Sequence, residues 1–193
     1  DTFVSGTLND LGSNWTTVVL PRSYSNMVVV ATPQYDETRP PAVTRVRNAA
    51  GNSFEIRVQN PSGQALTGYA AHYVVVEAGV HSGGGTAFEA GTVLSTVTAR
   101  KGSWLGQPVT YQQSYNNPVV TGQVMTQNDA RWSVFWALKA CCKNVAPTAE
   151  SMAVGKHVAE DPDTTRADET LGYIVFESGA GMLGNGLAYE AAV

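Results

Sequence analysis

The densest set of side chains able to do chemistry is one run, Lys156-His157-Val158-Ala159-Glu160-Asp161-Pro162-Asp163-Thr164-Thr165-Arg166-Ala167-Asp168-Glu169-Thr170. Three roles fit it. Asp161, Asp163 and Asp168 offer the hard carboxylate oxygens that Ca²⁺ prefers, though without the glycine and terminal glutamate of an EF-hand loop. His157, Asp163, Arg166 and Asp168 could instead hydrogen-bond sugar hydroxyls, with Arg166 able to fork onto a carboxylate or sulfate. The third role is that of a solvated loop. Upstream, Asn128-Asp129-Ala130-Arg131-Trp132-Ser133-Val134-Phe135-Trp136 supplies two flat rings, Trp132 and Trp136, that could stack on the C–H face of a pyranose. On a strand Trp132, Val134, Trp136 and Leu138 share one face, and Ser133, Phe135 and Ala137 the other. Both faces are apolar enough for one of the tryptophans to serve a core.

A second cluster comprises Tyr35, Asp36, Glu37 and Arg39, followed by Arg45, Arg47 and Arg57. Arg45 and Arg47 stand side by side on one strand face, and Glu55 on the next strand is their natural partner. That describes a surface ion-pair ladder or an anion site. Catalysis finds little support: His72, His81 and His157 are scattered, and no nucleophile elbow, phosphate loop or His-Glu-x-x-His is present. A carboxylate pair for glycoside hydrolysis stays open, but the chain reads as a non-enzyme. The adjacent Cys141 and Cys142 cannot staple distant loops. They are either a vicinal disulfide or two small loop residues.

Composition sets the context. A net charge of −4 with only 12 Lys+Arg argues against nucleic acid as partner. No apolar run approaches the ~20 residues of a membrane-spanning helix. Nineteen Gly among many Thr, Ser, Asn and Val describe a secreted β-protein. The first residue is not Met and no signal-like segment follows, so the chain reads as an excised piece of a longer precursor.

The elements that must position these residues repeat. Ala71-His72-Tyr73-Val74-Val75-Val76-Glu77-Ala78-Gly79 returns as Leu171-Gly172-Tyr173-Ile174-Val175-Phe176-Glu177-Ser178-Gly179. Phe3-Val4-Ser5-Gly6-Thr7-Leu8 returns as Phe88-Glu89-Ala90-Gly91-Thr92-Val93, and begins again at Tyr189-Glu190-Ala191. Gly12-Ser13-Asn14-Trp15 matches Gly102-Ser103-Trp104, and Ser23-Tyr24 to Val29 matches Ser114-Tyr115 to Val120. Segments matching in the same order imply duplication. Each half offers five or six short strands of half-buried alternation and no helix, as in Phe54, Ile56 and Val58 inward with Glu55 and Arg57 outward. The expected fold is all-β: two tandem antiparallel β-sandwich repeats, open to packing together. They span 1–85 and 86–186, with 187–193 starting a further segment. Ser82–Gly85 reads as a flexible hinge between them, and the repeated Trp15 and Trp104 as caps on the sandwich cores.

The Gly-Ser-x-Trp, Ser-Tyr-x-Asn-x-Val-Val and Tyr-hydrophobic-Glu-x-Gly segments resemble the H-type lectin pattern. They also resemble repeated modules of secreted bacterial polysaccharide-degrading enzymes. The resemblance covers nearly the whole chain and implies a six-stranded sandwich, extracellular binding of a polysaccharide or glycan, and often a homo-trimer. The duplication and the Glu160–Glu169 loop depart from it. The expected function is a non-catalytic carbohydrate-binding module, with Trp132, Trp136, His157, Asp163, Arg166 and Asp168 as its site. The alternatives are an adhesin or spacer module and a small polysaccharide lyase or hydrolase.

Overall fold

The computed structural model describes residues 3–83, 86–139 and 145–192. The expected all-β architecture is present, with no helix among the described residues. The strands are β1 (Val4–Leu11), β2 (Thr16–Tyr24), β3 (Met27–Pro33), β4 (Val43–Gln59), β5 (Tyr69–Glu77), β6 (Gly79–Gly83), β7 (Thr86–Ser95), β8 (Thr98–Ala99), β9 (Gln107–Thr110), β10 (Pro118–Val124), β11 (Val134–Leu138), β12 (Ser151–His157), β13 (Glu169–Glu177), β14 (Gly179–Met182) and β15 (Ala188–Ala191).

The duplication is visible in strand order. In the first unit one sheet runs β1-β5-β3 and faces the pair β2-β4; in the second the order β7-β13-β10 recurs, faced by β11, β12 and β9. β4 folds back on itself. Residues eight apart on a straight strand would lie about 26 Å apart, yet Arg47 Nε meets Glu55 Oε2 at 2.8 Å. The reversal falls at Asn48 and Gly51, both at positive φ.

Two repeated residue pairs explain the matched segments. Gly6 and Gly91 lie under the rings of Tyr73 and Tyr173, where an added Cβ would run into the phenol. Glu77 closes β5 by accepting the backbone N–H groups of Ser25 (2.8 Å) and Asn26 (2.5 Å). Glu177 accepts those of Asn116 and Asn117, both at 2.7 Å. A carboxylate accepting two backbone donors fixes the turn before β3 and β10. We expect Glu177→Ala to cost about 2 kcal/mol, read as a lower urea midpoint at unchanged slope. Glu77→Ala should cost a similar amount.

Three cores hold the layers. Phe54, Ile56, Val58, Val29 and Val75 belong to the first sandwich, and Met152, Val154, Leu171, Tyr173 and Val175 to the second. A third core joins the two units: Val28, Val30 and Val76 pack with Phe88, Ala90, Met125 and Ile174. β3 is therefore buried on both faces, odd residues in one core and even residues in the next. Half-buried alternation does not describe it.

The glycine stretch expected to hinge instead enters a hairpin. β6 pairs antiparallel with β7, Ser82 opposite Ala87 and Gly83 opposite Thr86. β14 pairs with β15 in the same way. Gly84, Gly85 and the Cys141–Cys142 pair lie outside the described residues.

Candidate functional site

The charged loop is built as a clasp. Arg131 is its centre. It grips the Asp129 carboxylate through Nε (2.9 Å) and Nη2 (2.7 Å), and donates to Asp163 Oδ2 (2.5 Å) and the Thr165 carbonyl (2.5 Å). The Arg131 guanidinium holds the Asp129 carboxyl far below the usual carboxylate range. Asp163 is lowered by the Thr165 N–H and by Arg131. Arg166 donates to Asp161 at 2.7 Å, and only 2% of its side chain is exposed, so it cannot fork onto an anion in solvent. Asp168 is exposed and contributes its backbone carbonyl, which accepts from Asn128 Nδ2 at 2.7 Å.

The Ca²⁺ arrangement also fails on geometry. Asp161 and Asp163 are each tied to a different arginine. Among the described residues no three His, Cys, Asp or Glu side chains converge.

The clasp supports the junction between units. Arg45 of the first unit is fully buried. It donates to the carbonyls of Arg131 (2.6 Å) and Asp129 (3.1 Å) and to Gln59 Oε1 (2.9 Å). Gln59 in turn donates to the Ala130 carbonyl at 3.2 Å. Burial pulls the Arg45 guanidinium down to about 10, which leaves it charged at neutral pH. Of the expected ladder, Arg47–Glu55 forms, while Arg45 turns away to the second unit.

The aromatic residues assemble elsewhere. Phe135 and Ala137 face the second core, which puts Trp136 on the outer face, where its ring lies over Gly155 and Gly106. An added Cβ at Gly155 would meet the indole at 2.7 Å, so only glycine lets the ring lie flat there. Trp104 stands edge-on to Trp136, with centroids 5.5 Å apart, and lies 4.4 Å from the His157 ring. Trp104 is 38% exposed and Leu105 beside it 53%. These residues form an aromatic shelf on the outer sheet of the second unit. The structure thus brings Trp136 and His157 together through Trp104, whose expected role as a core cap is overturned. Trp132 is half-buried beside Arg131.

The matching position in the first unit is closed by cations. Arg47 and Arg57 lie over the Trp15 ring at 4.2 and 4.8 Å. Trp15 is therefore also an outer-face residue, and the two units present different chemistry at one repeated position.

The Ala159 N–H donates to His157 Nδ1 at 2.9 Å, which places the neutral ring's proton on Nε2. Burial holds this imidazole below its ordinary pKa. A depressed histidine supports the fold above the unfolded value of about 6.5 and withdraws that support as pH falls. The melting temperature should therefore drop more steeply from pH 7 to 5 in the wild type than in His157→Phe.

A third surface, at the loop end of the first unit, is open. Tyr35 is 86% exposed. It edges a cleft of about 510 Å³ lined also by Asp36, Glu37, Arg39 and Tyr69. Arg39 is spent there: it donates to the Gly68 carbonyl at 2.5 Å and to that of Thr67, with its guanidinium 3.8 Å above the Tyr69 ring.

No protein-family model matches the chain, and no solved structure matches it. It is similar to a stretch of Halomucin from Haloquadratum walsbyi, 33% identical over 197 residues. The alignment covers 92% of this chain and 2% of that relative, so the chain spans a small fraction of the protein it matches.

Proposed function

We propose that the chain is a non-catalytic extracellular module that binds a polysaccharide against the aromatic shelf of its second unit. The observation that carries this reading is Trp104, an indole held in place by Trp136 and His157 yet 38% open to solvent. A ring fixed by its neighbours loses little freedom when a pyranose stacks on it. Exposed Leu105 widens the apolar strip. The resemblance to H-type lectins and the name of the relative, Halomucin, both support an extracellular setting. Affinity electrophoresis across neutral, uronic and sulfated polysaccharides tests it. At least one polymer should retard the wild type, and Trp104→Ala should weaken that binding by about 2 kcal/mol, roughly 30-fold.

The junction favours a second reading, a spacer or adhesin segment. The ion pairs of the charged loop close within the protein, and a shared core fixes the units against each other. Retardation by no polymer in the panel would select it.

A further inference from the structure

The interface between the two units is only partly used, and the repeat shows what belongs on the remainder. In the first unit Val28 and Val30 of β3 and Val76 of β5 are buried, covered by β7 and β13 of the second unit. Their matched positions are Val119 and Thr121 of β10, 91 residues on, and Phe176 of β13, 100 residues on. The pairing register is the same: Val28 opposite Val76 and Val119 opposite Phe176. Yet Thr121 is exposed, and Val119 and Phe176 are half-buried. They line a groove of about 390 Å³ with Phe3, Val74 and Tyr189.

The far end of the chain already enters this groove. β15 carries Ala188-Tyr189-Glu190-Ala191, the counterpart of Ala87-Phe88-Glu89-Ala90 in β7. It pairs with β14 as β7 pairs with β6. The three matched opening aromatics share one row: Phe3 lies 6.1 Å from Phe88, Phe88 4.9 Å from Phe176, and Phe176 5.3 Å from Tyr189. Asn185 Nδ2 also donates to the Phe3 carbonyl at 3.0 Å, returning the β14–β15 hairpin to the first unit.

We propose that this groove is the seat of a third β-sandwich unit of the same kind, with β15 as its opening strand. Such a unit covers Val119 and Thr121 as the second unit covers Val28 and Val30. Its own β10 counterpart then meets the open flank of β1 and β5, where Ser5, Thr7 and His72 line a further groove with Thr121. Three units thereby enclose one axis, lined by the aromatic row.

The test extends β15 into one further unit: residues 1–191 followed by a second copy of residues 91–186. Hydrogen exchange of β1 and β10 is compared with that of the 193-residue chain. A seated unit should slow exchange in both strands at least tenfold. Thr121→Arg should abolish the slowing, while leaving the melting temperature of the 193-residue chain unchanged. Unchanged exchange in β1 and β10 overturns the proposal, whether the added unit folds apart or stays unfolded, since a unit with a seat is stabilised by it.

Discussion

Arg45→Ala should lower stability by about 3–5 kcal/mol, among the largest effects of any single substitution in this protein. The side chain is fully buried and donates to two carbonyls of the Asp129–Arg131 turn and to Gln59. Truncation removes a buried cation and leaves the Arg131 and Asp129 carbonyls without this donor. The loss falls on the junction, so unfolding should split into two transitions as the units uncouple. Chemical denaturation followed separately by near-ultraviolet and far-ultraviolet dichroism checks both parts.

Glu169→Ala should cost about 3–4 kcal/mol for a related reason. Glu169 is 1% exposed, and its carboxylate accepts from the Thr126 hydroxyl and from the backbone N–H groups of Asn128 (3.1 Å) and Asp129 (2.9 Å). Its charge also faces two buried cations, Arg45 and Lys156. Alanine leaves three donors unmet and two buried cations less compensated. The two substitutions should not add, because Asp129 gives its N–H to Glu169 and its carbonyl to Arg45. The double variant should lose less than the sum of the two singles, by at least 1 kcal/mol in a double-mutant cycle.

The scaffold was more legible in the sequence than the site, and the reason is distance along the chain. Strand registers follow from spacing, so Tyr73 with Tyr173 and Glu77 with Glu177 marked the same elements in both units. Phe54, Ile56 and Val58 announced their core by alternation. The junction carried a signal of its own: Met27 to Ala31 is apolar without a break, as a strand buried on both faces must be. Read as one half-buried strand among several, it concealed the third core. The charged loop was legible as a departure from the repeat but not as a clasp. Arg131 meets Asp163 and Thr165, and Asp129 meets the Ala167 N–H, across more than thirty residues of chain, and no local pattern announces those contacts. Trp104 was misread because its repetition implied a shared structural role. Its neighbours differ from those of Trp15, and they leave one indole under two arginines and the other on an open shelf.

The glycan-binding reading is tested most directly by calorimetric titration of the chain with the polymer that retards it. Wild type, Trp104→Ala and Tyr35→Ala are compared, each shown to melt cooperatively. Binding lost in Trp104→Ala and retained in Tyr35→Ala is the predicted result. Binding unchanged in Trp104→Ala, or lost only in Tyr35→Ala, would contradict the account and move the site off the shelf.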